Sequence, residues 1–200
     1  MRYIGLDVAY RNVGVVILDH AGVCVSSQHL KCTATIDPDG FAWHRHAALQ
    51  LLMPGDVVAI EGLSFGSIGK THILAGAHAA WLEAAVYESS LVFVPVPMRV
   101  KLWAVGTTKA SKPDMIAWAR AELGDRAPKK LSEHEADALA LAQIALTGYA
   151  LLDGAPLDLP PHRRQLFHHP KQTGLLEVPG RSFYRGYHGK GHHYAHAGSA

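Results

Sequence analysis

The sequence predicts a mixed α/β domain built on a five-stranded sheet, three strands antiparallel and the later ones parallel, flanked by helices. Three observations lead there. Near the start, three β-prone runs follow one another with connections too short for a crossover, so they must pair antiparallel. Strand-like and helical stretches then alternate, which demands crossover connections and parallel pairing. Finally, 200 residues with 48% hydrophobic and 18% charged side chains can bury one core without disulfide or metal staples.

The first strand is Tyr3–Val8, apolar and β-prone except for Asp7. Asn12–Leu18 (NVGVVIL) is the second, and Asp19-His20-Ala21-Gly22 is a hairpin signal leading to a third over residues 23–30. A loop, Asp37-Pro38-Asp39-Gly40, precedes a helix over 41–53, with Asp39 as its expected N-cap. Residues 56–61 (DVVAIE) read as a buried strand between Pro54-Gly55 and a glycine-rich loop, 62–70. The Ala-rich stretch 71–89 is helical by composition and spacing. Residues 91–96 form the fifth strand, ended by prolines. A helix over 113–123 has proline at its start. Another, 132–146, opens with Ser132 as N-cap and Glu135 in the capping-box position. Residues 1–150 are therefore read as the folded domain. Residues 151–200 are read as a basic Pro/His/Gly-rich tail, largely flexible from Pro161 on.

Cys24 and Cys32 are too few for a disulfide scaffold and read as reduced thiols. No apolar run reaches membrane-spanning length, and Asp7 stands where a signal peptide needs an apolar stretch. A cytoplasmic protein with no membrane partner is the expectation. The net charge of +2 is unevenly spread: six of 19 Lys/Arg but only one of 17 acids, Glu177, follow residue 160, as do half of the 14 histidines. An acidic body with a basic tail is a common layout for proteins that handle nucleic acid.

The acids within the body carry the chemistry. Asp7 interrupts an apolar strand, and a lone buried carboxylate is costly unless paired or bound to metal. Glu61 ends the run VVAI, where a strand delivers a side chain to the sheet edge. Glu133, His134, Glu135 and Asp137 open a helix, and His134 and Asp137, three apart, share a face. That face meets the sheet if the stripe Ala138, Leu141 and Ala142 packs beside it. Singly, each acid has an ordinary explanation: a local backbone bond, a surface loop, a favourable helix dipole. Jointly, an acid in strand one, an acid ending a middle strand and an acid/His pair on a late helix form the layout of a two-metal phosphoryl-transfer site. Hard divalent ions want oxygen ligands drawn from separate elements.

Four motifs then carry a likeness. IGLDVAYRNVGVVILD (4–19), VVAIE (57–61), VPMRVKLWAVGTTKASKPDM (96–115) and HEADALALA (134–142) together resemble the RuvC-type Holliday junction resolvases of the ribonuclease H-like superfamily, over about residues 1–150. The resemblance implies a ribonuclease H-like fold. It also implies a catalytic, metal-binding set of Asp7, Glu61, His134 and Asp137, with two Mg²⁺ (or Mn²⁺) ions per active site. Many members have aspartate where His134 stands and others histidine; Glu133 is a fallback ligand. Lys101 and Lys112, with Lys109 competing for the place, would meet DNA phosphates or steady transition-state charge. Phe65 would stack near the branch point. The implied activity is hydrolytic, symmetric nicking of four-way junctions, leaving 5′-phosphates, by a homodimer in a bacterial or phage-infected cell. Trp81 and Tyr87 on the Ala-rich helix are candidate interface anchors.

Other readings remain open at this point. One is a broader branched-DNA (fork or flap) nuclease, favoured by the glycine-rich loop GLSFGSIGK. Another is a YqgF-type RNA-processing nuclease of the same superfamily, and a third a DNA-binding module without catalysis. Gly69-Lys70-Thr71 has a phosphate-loop flavour, but the full pattern needs glycine at position 64, which is serine. The tail histidines His188, His192, His193 and His196 suit a sequence-tolerant nucleic-acid contact better than a defined metal site.

Overall fold

The computed structural model describes residues 1–34, 37–63, 71–89, 91–156, 158–167 and 175–176. Five strands take the expected directions: β1 (Tyr3–Val8), β2 (Asn12–Leu18), β3 (Cys24–Lys31), β4 (Val57–Ile60) and β5 (Leu91–Phe93). β1 pairs antiparallel with β2 and parallel with β4; β2–β3 is antiparallel and β4–β5 parallel. A two-residue strand, β6 (Leu175–Leu176), adds one antiparallel step beside β5, so the order is β3-β2-β1-β4-β5-β6. The hairpin signal holds at atomic level: Asp19 Oδ1 accepts from the amides of Ala21 and Val23, and Gly22 takes φ +78°.

β1, β2, β4 and β5 are buried on both faces, and their alternate residues feed two cores. Ile4, Leu6, Val8, Val13, Val15, Val58 and Ile60 face α1 (Asp37–Leu51) and α2 (Thr71–Glu88), where Ala48, Ala77, Trp81 and Ala85 meet them. Tyr3, Val16, Leu18, Val57, Ala59 and Phe93 face α3 (Pro97–Val105), α4 (Lys112–Leu123) and α5 (Glu133–Leu152). α5 lies closest. A Cβ on Gly5 would overlap the carbonyl oxygen of Ala138 and the amide of Ala142, and one on Gly14 would overlap the carbonyl of His134. Two glycines thus let the helix backbone rest on the sheet, and Ala138, Leu141 and Ala142 are fully buried. Ser132 and Glu135 form the expected capping box.

Four expectations are corrected. α1 begins at Asp37, so Asp39 lies within its first turn instead of capping it; Pro38 suits a helix's opening position, which its fixed φ favours. The fifth strand ends at Phe93 instead of reaching residue 96, and α3 stands where no element was read before residue 113, with Pro97 at its start and Gly106 (φ +81°) closing it. Trp81 is not an interface anchor. It is fully buried, and its indole N–H donates to His44 Nδ1 at 2.9 Å. His44 Nε2 in turn donates to the Tyr10 carbonyl at 2.9 Å, completing a chain of hydrogen bonds from α2 through α1 to the β1–β2 turn. Lastly, residues 161–167 are not irregular: α6 (Pro161–Phe167) docks on α3 with Leu166 buried. Arg163 lies 4.9 Å over the Trp103 ring and donates to the Trp103 carbonyl.

Candidate active site

Register places the first two acids. Gly5 pairs with Ala59 and Leu6 with Ile60, and the Glu61 amide donates to the Leu6 carbonyl at 3.0 Å. Asp7 and Glu61 therefore emerge side by side at the carboxyl ends of two parallel neighbours, on the face that carries Tyr3, Gly5, Val57 and Ala59. Open α/β sheets hold their ligands at such ends. The first turns of α5, seated on Gly5 and Gly14, bring in the other two. His134 Nδ1 donates to Asp7 Oδ2 at 2.6 Å. Asp137 follows one turn later on the same helix face.

The electrostatics are those of crowded carboxylates. Glu61 is pushed well above the ordinary carboxylate range, by burial first and then by the charges of Asp7 and Asp137; it shares a hydrogen bond with Asp7, and Lys101 pulls the other way. Asp137 is raised to about 7, by burial and then by Asp7, with His134 and Lys101 opposing. His134 is raised, chiefly by its hydrogen bond to Asp7. Asp137 Oδ1 is buried and accepts no hydrogen bond from any described residue.

These features fit a divalent cation. Hard oxygen donors and one imidazole are the ligand types such an ion takes. An orphaned carboxylate oxygen and mutually repelling acids are the strains its charge relieves. As they stand, no three of the described His, Cys, Asp and Glu side chains are gathered closely enough to hold an ion.

The remaining expected residues separate. Lys101, half-buried on α3, lies near enough to Glu61 and Asp137 to lower both. Lys112, exposed at the start of α4, binds Glu133 at 2.7 Å, which makes Glu133 a rim ion-pair partner. Lys109 is exposed, and its backbone amide donates to the Thr107 hydroxyl. Glu135 is engaged in its cap and accepts from Ser27 Oγ at 2.9 Å. Phe65 and Lys70 in the loop, and His188, His192, His193 and His196 in the tail, lie outside the described residues. The sequence reading missed His29 on β3, whose ring packs 5.5 Å from that of His134 and whose Nε2 donates to Asn12 Oδ1 at 2.9 Å. Burial, then the neighbouring His134, pushes His29 below its ordinary value. Its only sequence signal is its place opposite Gly14, which a strand alignment would have given.

Among solved structures, the chain is similar to that of Thermus thermophilus RuvC, with a TM-score of 0.59 and 23% identity over 78% of this chain and 98% of that one. It is equally similar to T. thermophilus RuvC in complex with Holliday junction substrate, with a TM-score of 0.60 and 22% identity over 78% and 98%. The chain has the RuvC fold. No protein-family model and no curated protein matches it. Among the described residues no helix is long and apolar enough to cross a membrane.

Proposed function

We propose that this chain is a metal-dependent endonuclease that hydrolyses phosphodiesters in branched DNA, four-way junctions foremost. The observation that carries the reading is the junction of Asp7 and Glu61 at the ends of β1 and β4 with His134 and Asp137 from α5. It is supported by the likeness to a RuvC solved with a Holliday junction. Asp7, Glu61, His134 and Asp137 would hold two Mg²⁺ or Mn²⁺ ions. When bound, such ions supply a hydroxide nucleophile at neutral pH and positive charge for the leaving oxygen. Asp7 stands centrally, between Glu61 and His134, and organises the set. Lys101, beside Glu61 and Asp137, offers charge to the scissile phosphate. Lys112, released from Glu133, and the exposed Lys109 would meet backbone phosphates farther out. Two symmetric nicks in a four-way junction call for a twofold dimer.

The test is cleavage of a labelled mobile four-way junction with Mg²⁺ or Mn²⁺, beside a Y-fork, a linear duplex and an RNA hairpin, with Asp7→Asn in every lane. Paired symmetric nicks, lost in the variant, are the expected result. Equal cleavage of the fork would broaden the substrate to branched DNA in general. RNA cleavage alone, or no cleavage under either metal, would overturn the reading.

A further inference from the structure

Register sets the rows of side chains that run across a sheet. Asp7 opposes Gly14 on β2, and Gly14 opposes His29 on β3. With Glu61 beyond Asp7, the row facing α5 reads Glu61, Asp7, Gly14, His29. Gly14 contributes room to this row and nothing else, and His134 fills that room. His134 therefore has Asp7 on one side, hydrogen-bonded at 2.6 Å, and His29 on the other, with ring centroids 5.5 Å apart and planes inclined by 45°. His29 is itself tethered by its bond to Asn12, two residues before Gly14 on the same face of β2.

We propose that His29 is a positioning residue of this site: its tethered ring walls in the His134 imidazole across Gly14 and keeps its Nδ1 directed at Asp7. An imidazole on a helix has two free side-chain torsions, and the bond to Asp7 alone does not fix the ring plane. A second ring packed at an angle removes that freedom. A hydrogen-bonded partner sets the tautomer of a functional histidine, here Asp7, and the packed His29 ring holds its direction. The kinetic consequence rests on the nuclease reading above; the structural consequence does not.

Long-range proton–nitrogen correlation spectra of the metal-free protein separate the two. They report the tautomer and hydrogen bonding of His134, assigned among the 14 histidines by the signal lost in His134→Gln. In His29→Ala, the Nδ1 signal of His134 should move toward that of a solvent-averaged ring. His29→Phe, which keeps a ring but not the tether, should restore most of it. Junction nicking by His29→Ala should show kcat reduced roughly tenfold to a hundredfold, with KM for the junction unchanged, and His29→Phe should recover most of the loss. Should His29→Ala not fold, His29→Gln removes the ring while keeping a polar side chain near Asn12, and should move the same signal in the same direction. An unchanged His134 signal in every folded variant would overturn the proposal, even if activity fell. If the wild-type protein nicks no junction, the nuclease reading fails and the spectra alone decide the role of His29.

Discussion

At the scale of single residues, Asp137 shows how a site is held at the expense of the fold. Its carboxyl is raised to about 7 by burial and by Asp7, and one of its oxygens accepts no hydrogen bond from any described residue. A carboxyl whose proton affinity is higher folded than unfolded stabilises the fold at low pH. That contribution is lost as pH rises through the folded value. The metal-free protein should therefore lose stability between about pH 4 and pH 7, and Asp137→Asn should escape the share that Asp137 contributes, leaving that of Glu61. Melting curves should show the variant more stable than wild type at pH 8, on the order of 2 kcal/mol, because a tenfold change in proton affinity is about 1.4 kcal/mol and partial exposure screens it. At pH 4 the two should converge. Mg²⁺ or Mn²⁺ should stabilise the wild type at pH 8 and leave the variant nearly unmoved, and the variant should not nick DNA.

At the scale of elements, α5 is the part that makes a site out of a sheet. Its backbone rests on Gly5 and Gly14, and His134 reaches Asp7 because nothing stands between. Gly14→Ala should lift the first turn of α5. Overpacking of this kind costs about 1–3 kcal/mol, visible in thermal melts. Nicking measured below the melting transition should fall by roughly a hundredfold, since a displacement near 1 Å at a reacting centre has that effect. α5 was legible in the sequence because Ser132 and Glu135 announce its start and Ala138, Leu141 and Ala142 its inner face. α3 was not, because Pro95 and Pro97 were read as the end of a strand when the second opens a helix. The buried place of Trp81 was also hidden: α2 is apolar nearly all round, so its composition does not say which face turns inward. Only the partner, His44, settles it.

For the molecule as a whole, α6 ties residues 161–167 to the body. Leu166 is 1% exposed, and Arg163 reaches Trp103 on α3 and Glu122 on α4, while Trp103 itself donates to Gln143 of α5 at 3.1 Å. Leu166→Ala should cost about 2–3 kcal/mol, at the low end for a buried leucine because a peripheral site can relax. It should lower the melting temperature while leaving metal-dependent nicking intact at temperatures well below it. The sequence made the strand directions readable, and Asp7, Glu61 and Asp137 stood out in it as acids in apolar surroundings. It did not tell which of them touch. The direct bond between His134 and Asp7, and the ring of His29 behind it, come from strands and helices meeting at a distance along the chain, and no spacing encodes that. The row Glu61, Asp7, Gly14, His29 has a further consequence, for how the protein can change over generations. Its members alternate with core residues, so the row depends on odd and even. One residue inserted into β1 ahead of Asp7 would turn the carboxylate into the apolar layer with Ile4 and Leu6 and send an aliphatic chain to the site. Two inserted residues would restore the parity but shift the partners. Variation over generations should therefore enter these strands as substitutions and not as changes of length.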